Sequence, residues 1–203
     1  MKFLVLLAVF CVVTYAQEGP SCGAPGIFQA RVRSYDHETN YFRDGRFSYD
    51  AFEQKERMIE VIQENATRPQ IDELVLHREK KRYTVDLKTR KCNVTTIDYP
   101  FHRIEVDEPA RFLGYTVIGL IGGAPGEGMD LGIWEHHVEG QTVRGNLTQS
   151  FTRDECIPIS EVFYGETIKT KEMIHFHRTY LDVTLGLDSA DVFEIPKECM
   201  HRH

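Results

Sequence analysis

The sequence predicts an all-β domain, mainly antiparallel, in an exported chain. Three observations carry that prediction. Apolar residues recur at every second position in one stretch after another: Phe28, Ala30 and Val32 between Gln29, Arg31 and Arg33, then Tyr83, Val85 and Leu87 between Thr84, Asp86 and Lys88. That is the period of a half-buried strand. No helical pattern alternates with these stretches, so the strands pair as hairpins, and the sheet curls or stacks on itself. Finally, the chain opens on an export signal and keeps an even number of cysteines behind it.

In chain order, Met1-Lys2 is a short positive region, Phe3 to Val13 is unbroken apolar sequence, and Thr14-Tyr15-Ala16 supplies a small residue for cleavage. Residues 1–16 therefore read as a secretory signal peptide and 17–203 as one domain. The apolar run is too short to span a bilayer, and no later stretch approaches about 18 apolar residues. Gly23 to Gly26 is a turn-rich start, followed by the strand around Phe28–Val32. Asp44-Gly45, between Tyr41-Phe42 and Phe47–Tyr49, is the strongest hairpin-turn signal. Arg57 to Glu64 fits a helix or a strand and is read as a strand from its neighbours; Leu74–Leu76 is a short strand.

The segment Lys80–Thr95 is expected to run as a strand through Lys88-Thr89-Arg90 to Cys92. Phe112 to Ile121, the longest apolar element, reads as a central strand buried on both sides. The glycine-rich stretch Gly122–Gly128 is a loop without the Gly-Lys-Ser/Thr of a phosphate cradle. Alternation resumes at Leu131, Ile133 and Trp134. Gln141–Thr152, Val162–Ile168 and Met173–Leu187 are further strands.

With Cys11 leaving in the signal, Cys22, Cys92, Cys156 and Cys199 remain, enough for two disulfides in any of three pairings. None stands in a CxxC spacing. Asn65-Ala66-Thr67, Asn93-Val94-Thr95 and Asn146-Leu147-Thr148 are N-glycan acceptors in a secreted chain. A net charge of −7 argues against nucleic acid as partner. There is no Gly-x-Ser-x-Gly elbow, no His-Glu-x-x-His and no thiol left over for a nucleophile, so the chain is not expected to be an enzyme. His175 and His177 share a strand face without an evident third metal ligand, and Asp50/Glu53/Glu56 and Asp188/Asp191/Glu194 are acidic clusters without an EF-hand pattern.

The C-terminal stretch Leu185-Gly186-Leu187-Asp188, then Val192-Phe193-Glu194-Ile195-Pro196-Lys197-Glu198-Cys199, resembles the closing signature of the ependymins and ependymin-related proteins. Phe47-Ser48-Tyr49-Asp50 with Glu56-Arg57-Met58-Ile59, the strand Tyr83–Lys88 with Cys92, the Gly114–Trp134 region and Cys156 follow that family's order. The resemblance covers essentially the whole mature chain. It implies two stacked, curved antiparallel sheets forming a half-open barrel around a hydrophobic pocket, similar to bacterial lipoprotein carriers. It also implies disulfides joining Cys22 to Cys156 and Cys92 to Cys199. A third bridge of vertebrate members has no cysteines here.

Members of the family are secreted or lysosomal, often glycosylated and often dimeric, and are linked to calcium, anionic lipids and cell–matrix contact. The resemblance therefore implies a secreted glycoprotein with a hydrophobic ligand, of lipid class, between its sheets, no obligatory cofactor, and calcium as the ion to test. Phe112, Tyr115, Val117, Trp134 and Phe163 are the candidate pocket wall, being apolar residues of long strands. The competing expectation is a calcium-dependent adhesion glycoprotein that contacts the extracellular matrix and carries nothing.

Overall fold

Eleven strands form one antiparallel sheet in this computed structural model, which describes residues 20–63, 67–122, 124–140 and 142–200. The expected signal peptide and Asn65 lie outside the described residues. The strands are β1 (Ile27–Asp36), β2 (Tyr41–Asp50), β3 (Lys55–Gln63), β4 (Gln70–Leu76), β5 (Lys81–Asp86), β6 (Lys91–Thr96), β7 (Arg111–Gly119), β8 (Gly128–Glu139), β9 (Val143–Thr152), β10 (Pro158–Thr167) and β11 (Met173–Leu185), with one short helix, α1 (Lys197–Met200). Their order is β6-β5-β4-β3-β2-β1-β11-β10-β9-β8-β7. Hairpins build each wing, β1 pairs with β11 at the centre, and the sheet is not closed. The two layers expected from the sequence are the two wings of one continuous sheet, bent so that both face a common concave side. The ambiguous Arg57–Glu64 stretch is strand β3.

Four of the hairpins, β1–β2, β2–β3, β4–β5 and β5–β6, close through four-residue turns that the sequence disguises. Asp36 Oδ1 accepts hydrogen bonds from the Glu38 and Thr39 amides at 2.9 Å, and Asp86 Oδ1 accepts from Lys88 and Thr89 at 2.9 and 2.7 Å. Asp50 Oδ1 accepts from Glu53 at 2.8 Å. The last residue of each turn is left-handed: Asn40 (φ 52°), Gln54 (φ 55°), Lys80 (φ 53°) and Arg90 (φ 58°). An Asp side chain closing the turn makes glycine unnecessary there.

This chemistry overturns two expectations. Lys88-Thr89-Arg90 is a turn, so the Lys80–Thr95 segment is a hairpin of β5 and β6 and not one strand. Asp44-Gly45 lies inside β2, opposite Arg33 and Val32. A Cβ on Gly45 would stand 2.5 Å from the Ile59 carbonyl oxygen and from Glu60 Cβ, so glycine serves a close strand approach. Asp44 instead accepts hydrogen bonds from Arg31 Nε and Nη2, both at 2.7 Å, and from Arg33 Nε at 3.1 Å.

The concave side is crossed, and partly filled, by the connection from β6 to β7, residues 97–110. Phe28, Ala30, Val32, Tyr49 and Tyr180 are buried there against Phe101 and Ile104. The Ile104 amide donates to Tyr49 Oη at 3.2 Å, and its carbonyl accepts from Ala24 at 2.8 Å. On the other wing Trp134, Phe151 and Cys22 enclose Val106 and Ala110. The convex side of β4 and β5 is covered by the C-terminal segment: Leu74, Leu76 and Tyr83 pack on Phe193, Ile195 and Cys199. Cys22–Cys156 ties the N-terminal segment to the β9–β10 turn, and Cys92–Cys199 ties β6 to α1, the pairing the resemblance implies.

Strand β7 departs from expectation most. It is an edge strand, hydrogen-bonded only to β8, not a central one. Leu113 is 47% exposed, Ile118 54% and Ile121 81%. A long apolar run marks strand character, but burial on both sides needs packing on both faces, and β7, last in the strand order of the sheet, leaves Leu113, Tyr115 and Ile118 exposed.

Candidate functional site

Each strand of a curved sheet sends alternate side chains to its concave face. The register decides which of them become neighbours. Gln149 on β9 pairs with Glu161 on β10, Glu161 with Arg178 on β11, Arg178 with Ser34 on β1, and Ser34 with Arg43 on β2. Five adjacent strands thus lay one polar row across the concave face. Around it lies a cavity of about 510 Å³, walled by β1–β4 on one side, β8–β11 on the other, and crossover residues His102–Asp107. Val32, Phe47, Met58, Val75, Val138 and Leu147 form its apolar surface. The volume falls in the range of small-molecule sites.

The row is ionic and connected. Arg178 Nη1 donates to Glu161 Oε2 at 2.9 Å, and Gln149 Nε2 donates to Glu161 Oε1 at 3.4 Å. Burial, then the Glu161 carboxylate, pushes the Tyr180 phenol above its ordinary value. Burial opposes the Arg178 cation, but Tyr180 and Glu161 outweigh it and hold the guanidinium charged. Arg43 pairs with the buried Glu60 through Nε at 2.8 Å and through Nη2. The same balance applies there: burial works against the guanidinium and the Glu60 hydrogen bond overcomes it.

Two side chains of the lining are incompletely satisfied. His136 is 8% exposed and Gln149 4%, and among the described residues neither His136 Nδ1 nor Gln149 Oε1 has a hydrogen-bond partner. His136 Nε2 faces the Asp107 carboxylate at 3.8 Å. The lining carboxylates are Glu56, Glu73, Glu105, Asp107 and Glu161, against the guanidiniums of Arg43, Arg103 and Arg178. A negative excess results.

Residues 65–199 match the family model described as Ependymin. The chain belongs to the ependymin family. It is 24% identical over 199 residues to "Ependymin" of Notemigonus crysoleucas and 22% identical to "Ependymin-2" of Carassius auratus, covering in both cases 96% of this chain and 87% of the relative. It is 26% identical over 161 residues to "Ependymin-1" of Oncorhynchus mykiss, covering 76% of this chain and 66% of that one. An uncharacterized conserved protein from Thermus thermophilus shares the fold at a TM-score of 0.52 and 12% identity, over 84% of this chain and 86% of the other.

In this ependymin-family chain the residues singled out from sequence are dispersed. Trp134, Phe112 and Tyr115 form one aromatic cluster, tilted and edge-to-face, with centroids 5.2 Å apart for Phe112–Trp134 and 4.9 Å for Phe112–Tyr115, and Arg153 lies 4.4 Å over the Tyr115 ring. Val117 sits on edge strand β7 opposite Asp130, and Phe163 stacks on Phe176 at 5.6 Å. None of the five is among the residues lining the large cavity. Asn93 and Asn146 are exposed on β6 and β9, and Asn146 Oδ1 shares a hydrogen bond with His137 Nδ1 at 3.0 Å.

His175 stacks on His37 at 4.5 Å. Among the described residues no group of three His, Cys, Asp or Glu side chains is placed to hold a metal ion. The cavity's polar row escaped sequence reasoning because Gln149, Glu161, Arg178, Ser34 and Arg43 are far apart in sequence. Only the inward parity of each strand carries a local signal.

Proposed function

We propose that the chain is a secreted glycoprotein that holds an amphipathic, lipid-class ligand in the cavity of its concave face. The observation behind the proposal is the cavity itself. It joins an apolar wall to a polar row between the two wings of the sheet. About 510 Å³ left open on the concave face of a curved sheet is in the range of small-molecule sites and supports an occupant there. Two disulfides of long sequence separation and exposed Asn93 and Asn146 support the secreted, glycosylated part of the reading.

Native mass spectrometry of the secreted, glycan-trimmed protein, with and without calcium, tests it. Extra mass matching an amphiphile and lost on organic extraction is the expected result. A clean protein mass that stays clean after incubation with liposomes overturns the carrier reading. Binding to matrix that requires calcium and proceeds without ligand establishes the adhesion role in its place.

A further inference from the structure

We infer that the cavity selects an amphiphile whose polar head donates hydrogen bonds and carries no negative charge, with a primary ammonium as its best fit. This rests on the carrier reading above and specifies its ligand.

The inference starts from the two unsatisfied atoms. Gln149 Oε1 is an acceptor whatever its surroundings. Gln149 Nε2 donates to Glu161, which fixes the amide with its oxygen on the side away from that carboxylate. His136 presents Nε2 to Asp107, which favours the tautomer with the proton on Nε2 and leaves Nδ1 as a second acceptor. Trp134 pairs with Gln149 and His136 with Leu147 across β8 and β9, so His136 and Gln149 are diagonal neighbours on one face.

Both are more than nine-tenths buried and both line the cavity. A buried acceptor left without a donor is expensive, so the occupant that completes this corner brings N–H or O–H groups. Arg178, the guanidinium that shares Glu161 with Gln149, is already turned to that carboxylate at 2.9 Å.

Charge points the same way. The lining holds more carboxylates than guanidiniums, and Arg43 and Arg178 are each engaged by a glutamate. A carboxylate or phosphate head would enter against that excess, with Arg103 of the crossover as the one lining guanidinium not turned to a glutamate among the described residues. An ammonium meets two acceptors and a negative field, while its chain lies on Val32, Phe47, Met58 and Leu147.

The test is a ligand series of equal chain length, octylamine, octanol and octanoate, measured against the full secreted protein by calorimetry at mildly alkaline pH. Octylamine is expected to bind roughly tenfold or more tightly than octanoate, with octanol between them, as one charge-assisted hydrogen bond suffices for that ratio. The Gln149→Met variant, which removes one of the two acceptors, should narrow the octylamine-to-octanoate affinity ratio severalfold. In the unaltered protein, octylamine should also shift the His136 Nδ1 nitrogen resonance, which needs no variant to fold.

Equal affinity across the series, or tighter octanoate, overturns the donor-head inference and leaves the carrier reading standing. Failure of all three to bind overturns both.

Discussion

Replacing Arg57 by leucine probes the contact that fastens the C-terminal segment to the sheet. Arg57 on β3 reaches Asp72 on β4 through Nε at 2.8 Å and Nη2 at 2.6 Å, and Nη1 donates to the Val192 carbonyl at 2.8 Å. The side chains are 16% and 7% exposed, so this is a buried, bidentate pair, and the Asp72 hydrogen bond holds the guanidinium above its ordinary value. Leucine removes these hydrogen bonds, and a longer one from Nη1 to the Glu194 carbonyl at 3.5 Å, and leaves a carboxylate in a site closed by Val192 and its neighbours. Breaking one partner of such a pair costs about 3–5 kcal/mol, a large part of the ~5–15 kcal/mol that holds a domain together.

The assay is equilibrium urea unfolding of the disulfide-intact protein, followed by Trp134, the single tryptophan of the chain, which lies in the opposite wing and reports global unfolding. The paired variant Arg57→Leu with Asp72→Leu should recover much of the loss, because it removes the unpaired charge along with its partner. A loss below about 1 kcal/mol for Arg57→Leu, the size of an exposed ion pair, refutes the reasoning. So does a double variant as unstable as the sum of the two singles.

Three further outcomes follow from the same structure. Converting Cys92 and Cys199 to serine opens a bridge spanning a sequence separation of 107, worth about 5 kcal/mol by loop entropy, and the urea midpoint should fall accordingly while the signal of the Cys22–Cys156 wing persists longest in limited proteolysis. Gly45→Ala should destabilise by about 1–3 kcal/mol in the same assay, since its new methyl meets the Ile59 carbonyl oxygen; a neutral result means β2 and β3 separate freely there. The Asp44 carboxyl, held below its ordinary value first by the Arg31 hydrogen bond, contributes stability that is present above the unfolded value and lost as pH falls through the lower folded value. A carbon-detected titration should find Asp44 low, and Arg31→Leu should raise it.

Much of the fold was legible residue by residue. Phe28, Ala30 and Val32 are 0%, 3% and 2% exposed, as their alternation requires, and Tyr83 and Val85 point into the core under the C-terminal segment. Boundaries failed where local chemistry has two meanings. Asp-Gly signals a turn when glycine supplies a left-handed residue, but Gly45 supplies clearance between strands. The real turns lie at Asp36–Asn40 and Asp86–Arg90, where the shared pattern Asp-x-x-Thr ahead of a left-handed residue was the usable signal. Burial of β7 failed for a different reason: hydrophobicity is a property of the segment, whereas packing on both of its faces is decided by the rest of the fold.

By itself the sequence determined what depends on near neighbours along the chain: strand period, the apolar N-terminal run, the glycan acceptor motifs, the number of cysteines, and membership in a family written in ordered motifs. The tertiary structure alone decided what depends on register and curvature. Pairing Gln149 with Glu161, Glu161 with Arg178 and Ser34 with Arg43 turned scattered polar residues into a single row, and bending the sheet brought that row beneath the crossover as the floor of a cavity. The physical reason is that a strand's period says which residues share a face. Their partners across the face are chosen by hydrogen bonds between segments up to the whole chain length apart.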